Sequence, residues 1–307
     1  MVIKFFLLGY PRLVVQGEPV SLPRSKALAL LSYLVVNRQI HSRDALVTLF
    51  WANYDQSSGR AELRRQISTL KKAISVDFLH VERDAVGIAD HAPLWNDVTD
   101  IYHQMQQCKV HPHNSIVTCD VCIEQLEKVV ALLNGNFMDG FTLPDSPAFD
   151  QWQHTHSQLL SENAQLSLET LAQYYAQQNN IEQAIALYIK LLTYNPGYEP
   201  AHRQLMRYFA ENGNRADALK QYETCVAYLN SEFGVEPETE TQQLYHSIRQ
   251  NTLKPVQAVK PIAPIQPTKP FIGREAELET ALTYLASSTC RLLTITGMGG
   301  VGALHKN

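Results

Sequence analysis

Four positions align at a fixed step of 34 in the middle of this 307-residue chain, three of them with the same residue. Asn180 aligns with Asn214, Ala184 with Ala218, Tyr188 with Tyr222 and Leu191 with Cys225. A fixed period of this length marks stacked helix pairs, each unable to bury its apolar face alone. Alanine at such places lets paired helices approach closely. The segment NIEQAIALYIKLLTYNP, ended by Pro196, supplies the second helix of one unit, and Glu199 to Asn212 the first helix of the next. This part of the chain is thereby restricted to an all-helical array.

A second pattern lies nearer the start. Residues 58–75 read SGRAELRRQISTLKKAIS. At helical spacing Leu63, Ile67, Leu70 and Ile74 form one narrow apolar stripe. Arg60, Arg64 and Lys71 flank it, Arg65 and Lys72 lie further round, and Ala61 and Ser68 leave room for close approach. The acid Glu62 is expected to point elsewhere, and Ser57 or Ser58 to cap the helix start. One face is suited to burial and the other to negative charge. A solvated surface helix has the same composition, so the neighbouring segments decide between the two.

Before this helix, residues 3–22 carry short apolar runs broken by Gly9-Tyr10-Pro11 and Gln16-Gly17, which predict a small antiparallel sheet. A helix follows from Arg24 to Val36, with Leu28, Leu31, Leu34 and Val35 on its apolar side. Ser42 caps a second helix carrying Leu46, Leu49, Phe50 and Trp51. After the basic helix, Phe78 to Val81 and Val86 to Ile88 flank Glu82-Arg83-Asp84 as a β-hairpin. Sheet, three helices and hairpin is the order of a winged helix-turn-helix, whose third helix enters the major groove. Arg83 would sit at the wing tip. Charge follows the same division. Residues 1–90 hold 12 Lys+Arg against 8 Asp+Glu, residues 91–252 hold 8 against 19, and the remainder 6 against 3. A basic opening segment fits a nucleic-acid surface, and an acidic one does not.

Further along, a helix is expected over 94–107, capped near Asn96 or Thr99. Another carries Ile123, Leu126, Val129, Val130 and Leu133. The turn-rich stretch from Gly135 to Trp152 leads into a long helical run to Gln178.

Specific residues carry resemblances to known families. Lys26, Ser42-Arg43-Asp44-Ala45-Leu46, Phe50-Trp51 and Arg60…Leu63-Arg64…Ile67-Ser68…Leu70-Lys71 resemble the OmpR-like winged helix of SARP-type regulators. Gly135-Asn136-Phe137, Gly140-Phe141, Phe149…Trp152 and the segment from Phe233 to Thr239 look like the bacterial transcriptional activator domain (BTAD) of the same family. The 34-residue period is similar to that of tetratricopeptide units. FIGRE at 271–275 and LLTITGMGGVG at 292–302 resemble the opening of an NB-ARC-type ATPase. The expected fold is mainly α: a winged helix-turn-helix at 1–92, an all-α tetratricopeptide-like BTAD at 94–251, a Pro-rich extended linker at 252–270 and a truncated phosphate-loop fragment at 271–307.

The phosphate loop needs a Lys and a Ser/Thr after its last glycine, to reach phosphate and hold Mg²⁺. After Gly297, Gly299, Gly300 and Gly302 stand Ala303 and Leu304. No ATP binding is expected, nor an enzyme activity, and the end of the chain reads as a truncated or frame-shifted relative of a longer protein.

Cys108, His111, His113, Cys119 and Cys122 form C-x2-H-x-H-x5-C-x2-C, five candidate ligands in 15 residues. Thiolate and imidazole donors suit tetrahedral zinc. Small buried cysteines beside solvated histidines fit the pattern equally, and a redox pair is a third reading. His80, His91, His154 and His156 are expected to be ordinary surface or boundary residues, and Tyr174-Tyr175 part of the helical core.

No apolar run approaches the roughly 18 residues of a membrane span. The opening MVIKFFLLGYPRL reads as a strand and not a signal peptide. Five cysteines without an export signal point to a reducing cytoplasm. The expected function is sequence-specific binding of double-stranded DNA by a transcriptional regulator, an activator by resemblance. Its DNA contacts are expected from Arg60, Arg64, Arg65, Ser68, Lys71, Lys72 and Arg83. The resemblance also implies self-association and contact with RNA polymerase. The alternative is a helical-repeat interaction scaffold with residual DNA affinity.

Overall fold

Strand β1 (Ile3–Phe6) alternates buried and outward residues, with Ile3 and Phe5 in the core and Lys4 exposed. In this computed structural model residues 3–74, 77–113 and 115–252 are described. β1 pairs antiparallel with β2 (Arg12–Val15), and β2 with β3 (Glu18–Val20). The sheet is not purely antiparallel as expected. A strand at Leu94–Asn96, β7, joins the free edge of β1 in parallel, with Ile3 opposite Leu94. The helix expected from 94 therefore begins at 97. Leu94 and Asn96 are buried while Trp95 packs edge-on against Phe6, a period-two pattern too short to see in the sequence.

Helix α1 (Ser25–Asn37) is followed by the short strand β4 (His41–Ser42), α2 (Arg43–Phe50) and α3 (Gln56–Ala73). β5 (Leu79–Val81) and β6 (Ala85–Ile88) form the expected hairpin. β4 adds to it, giving a three-stranded wing of order β4-β6-β5. This is a winged helix-turn-helix. Ser42 caps α2 as expected, its hydroxyl accepting from the Ala45 amide at 3.1 Å. The α2–α3 crossing is tight at Gly59: a Cβ built there would lie 2.3 Å from Cγ1 of Val47.

The remaining described helices are α4 (Asp97–Val110), α5 (Asp120–Leu132), α6 (Pro147–Gln177), α7 (Ile181–Tyr194), α8 (Glu199–Glu211), α9 (Arg215–Phe233) and α10 (Thr239–Arg249). The 34-residue period is visible in the backbone. Asn179 and Gly213 occupy the same left-handed turn position, with φ of 60° and 80°. In each turn the following Asn amide donates 2.8 Å to a carbonyl five residues back, Tyr175 in one case and Phe209 in the other. Ala184, Ala218, Leu191 and Cys225 are buried, as close helix pairing requires.

The winged helix and the helical array share one core, which runs from Ile3 to Leu205. Two seams join them. The Met138 amide donates to the Leu7 carbonyl at 2.7 Å, Gly9 to Asn136 at 2.8 Å, and Asp139 to Gly9 at 3.0 Å. Above this ladder, Tyr33 and Phe50 of the winged helix meet Phe149 and Trp152 of α6. His156, at the half-buried boundary expected of it, belongs to this aromatic cluster; Tyr102 and Trp152 lie against it. The carboxylate of Asp97, buried at the head of α4, receives the amides of Leu7 at 2.9 Å, Leu8 at 3.0 Å and Val98 at 2.9 Å. The linker at 252–270 lies beyond the described residues except for Thr252, and the phosphate-loop fragment with Gly297, Gly299, Gly300 and Gly302 lies wholly beyond them.

Candidate nucleic-acid interface and the cysteine–histidine cluster

Helix α3 buries Gly59, Leu63, Gln66, Ile67 and Leu70, and Ile74 closes the stripe at its C-terminal end. The predicted apolar face is therefore the buried one. Its start differs from expectation. Asp55 is the cap, its carboxylate accepting from the Ser57 amide at 2.9 Å and the Ser58 amide at 3.0 Å. Side-chain hydrogen bonds, foremost from the Ser57 hydroxyl at 2.6 Å and then from Ser58, together with these amides, hold the Asp55 carboxyl well below the usual carboxylate range. The helix begins at Gln56 because a carboxylate is the stronger acceptor at a helix N-terminus.

Arg64, Arg65, Ser68, Lys71 and Lys72 are all exposed. On a helix of 3.6 residues per turn they occupy an arc of about 120° opposite the buried stripe. Glu62 is not turned away from this arc: it pairs with Arg65. Arg64 bends back to donate to the Arg60 carbonyl at 3.3 Å. Lys71 and Lys72 lie in the last turn. Arg83 is exposed in the wing loop, as expected.

Arg60 is placed differently from its neighbours. Its guanidinium binds Asp44 of α2 through two 2.7 Å bonds and reaches Asp84 of the wing loop at 3.5 Å. The bond from Arg60 holds the Asp44 carboxyl below the usual range, and the same bond raises Arg60. Arg43 completes the clasp by donating to the Glu82 carbonyl at 3.2 and 3.0 Å. Asp44, Asp84 and Arg43 were not among the expected site residues. Opposite charges on three separate elements carry no periodic signal, although Arg43-Asp44 stands within the motif that opens α2.

Lys26 donates to the Phe50 carbonyl at 2.9 Å, and Ser146, from the segment before α6, donates to the same oxygen at 3.2 Å. The C-terminal end of α2 is thus fastened both to α1 and to the helical array. Burial lowers the Lys26 pKa.

The cysteines and histidines at 108–122 are also brought together. Single ligand atoms of His111, Cys119 and Cys122 lie within 4.8 Å of one another. Nδ1 of His113 is 3.5 Å from the Cys122 sulfur, and the Cys108 thiol donates to the Cys122 carbonyl at 3.7 Å. Burial pushes the Cys122 thiol up to about 12. No disulfide joins cysteines among the described residues.

A winged helix-turn-helix is joined through a common core to tetratricopeptide-like helices. Residues 119–249 match the family model of the bacterial transcriptional activator domain. Among solved structures, the chain is similar to Mycobacterium tuberculosis EmbR in complex with a low affinity phosphopeptide. The two are 21% identical with a TM-score of 0.56, over 81% of this chain and 65% of that one. This likeness concerns the fold. No curated protein matches the chain. Residues 119–249 thus match a bacterial transcriptional activator domain that follows a winged helix-turn-helix, and the chain spans less than two thirds of the EmbR chain it resembles. No described helix is long and apolar enough to cross a membrane.

Proposed function

We propose that the chain binds double-stranded DNA sequence-selectively and acts as a transcriptional activator. The observation that carries this reading is the exposed basic arc of α3, Arg64, Arg65, Ser68, Lys71 and Lys72, set beside a wing bearing Arg83. A major groove about 12 Å wide admits one helix. Lys71, Lys72 and Arg83 are assigned to phosphates, which set affinity and its salt dependence, while Arg64, Arg65 and Ser68 face the bases. Arg60 acts through the wing: with Asp44 and Asp84 it keeps α3 and the wing loop in one geometry.

The acidic helical array is assigned to protein partners, a second copy of the chain on repeated sites or RNA polymerase. Neither an enzyme activity nor an ATP requirement enters this reading. Selection of bound genomic fragments, followed by competition binding at rising salt, tests it. Binding without sequence preference would leave the helical array as the working part of an interaction scaffold.

A further inference from the structure

Nine residues, 111–119, connect α4 to α5. Cys108 lies in the last turn of α4, His111 is its C-cap, Cys119 immediately precedes α5 and Cys122 lies in its first turn. Two x2-spaced pairs, Cys108/His111 and Cys119/Cys122, are thus carried on facing helix ends. Closely spaced ligand pairs of this kind recur in structural zinc sites.

Distances support convergence. With Zn–S near 2.3 Å and Zn–N near 2.0 Å, tetrahedral ligand atoms stand roughly 3.5 Å apart. The His111, Cys119 and Cys122 donors already lie within 4.8 Å of one another, so small side-chain rotations close the gap. Among the described residues they are the one such group of His, Cys, Asp or Glu. Cys108 stands next to them, at 3.7 Å from the Cys122 carbonyl. A surface depression of about 370 Å³ is lined by Cys108, His111 and Cys122.

Burial alone explains some of these residues. Cys108 and Cys122 are 3% and 0% exposed, as small core residues often are. Cys225 is equally buried and is the control: it fills a repeat position that Leu191 fills elsewhere. Burial does not explain a half-exposed third thiol and an imidazole gathered around the Cys122 sulfur.

We propose that Cys108, His111, Cys119 and Cys122 form a structural zinc site that clips the end of α4 to the start of α5. His113 is not a ligand; its Nδ1–H donates to the Cys122 sulfur, the outer contact that steadies a metal-bound thiolate. On binding, three thiols release their protons to solvent as three S–Zn bonds form, and no electron is transferred. The clip acts on the segment that leads from β7 into the activator domain.

The test uses the full chain produced with zinc in the medium and measured for bound metal. One zinc per chain is expected. Cys119→Ser and His111→Ala, both at partly exposed positions, should each reduce it at least several-fold while helical content is kept. Chelation should lower the melting temperature of the parent chain but not of Cys119→Ser. Cobalt substitution counts the thiolates: the charge-transfer intensity of three is expected, reduced by about a third in Cys108→Ser and unchanged in His113→Ala. Zinc near zero, or an oxidised Cys119–Cys122 pair in the metal-free protein, overturns the site. A two-thiolate cobalt spectrum that His113→Ala alters overturns the ligand set.

Discussion

Arg60 and Asp44 are joined by two parallel bonds of 2.7 Å, and the same guanidinium reaches Asp84. Planar bidentate geometry of this kind fixes orientation. One of the residues expected to contact DNA therefore also ties the recognition helix to the wing. An exposed pair adds little to global stability. Arg60→Ala should leave the melting temperature nearly unchanged, yet speed amide hydrogen exchange in the wing loop and weaken DNA binding through faster dissociation. Unaltered exchange at Glu82 and Ala85 would show that the clasp does not hold the wing.

Lys71 and Lys72 make a different prediction. They are assigned to phosphates, so Lys71→Ala with Lys72→Ala should weaken binding to all sequences alike and reduce the salt slope by about 2. Arg64→Ala should instead narrow the gap between target and random DNA, at a cost of about 1–3 kcal/mol if it makes a bidentate base contact. Fluorescence anisotropy at several salt concentrations separates the two. Equal effects on every sequence from Arg64→Ala would remove it from base contact.

At Gly59 there is no room for a methyl group. A Cβ there would meet Val47 Cγ1 at 2.3 Å, and valine is stiff at χ1. Gly59→Ala should destabilise by about 1–3 kcal/mol despite the better helix propensity of alanine. Adding Val47→Ala should recover part of the loss that Gly59→Ala causes. Urea unfolding of the four forms measures the coupling, and strict additivity would refute the contact.

Asp97 is buried and receives three backbone amides, two of which, from Leu7 and Leu8, tie the end of the first strand to α4. Asp97→Ala leaves those donors without a partner, and a loss of roughly 2–4 kcal/mol is expected from charged hydrogen bonds of this kind. Asp97→Asn should recover little, because its amide nitrogen would face a donor. Chemical denaturation decides this, and a loss near zero for Asp97→Ala would mean water replaces the carboxylate.

Three imidazoles are kept neutral by burial. His41 of the wing, His156 of the aromatic seam and His202 of α8 all have lowered pKa values, chiefly from desolvation. The unfolded chain then binds more protons below the ordinary histidine value of about 6.5. Their contribution is present above that value and is lost as pH falls through the lowered folded values. Stability should decline between pH 7 and pH 5, less steeply in His156→Gln. A flat profile would mean that these rings stay accessible to water.

Much of the architecture was legible in the sequence. The helical repeat, the order of the winged helix and the buried stripe of α3 each depend on periodicity, and one chain displays periodicity fully. Leu63, Ile67 and Leu70 face inward because any other orientation of α3 would expose them. The short strand at Leu94–Asn96 was missed, since three residues are too few to show alternation. The cap at Asp55 was missed because Ser57 and Ser58 compete for the same role.

The sequence by itself determined which faces are apolar, where helices begin and end to within a few residues, and which residues could meet DNA or metal. Tertiary structure decided how these groups are used. It turned Arg60 toward Asp44 and Asp84, joined the two parts through Leu7, Gly9 and Met138, and drew His111, Cys119 and Cys122 into one cluster. The reason is range. Hydrophobic periodicity repeats over a few residues along one element, whereas ion pairs, ligand clusters and seams join residues that only the packing of separate elements brings within a few ångströms.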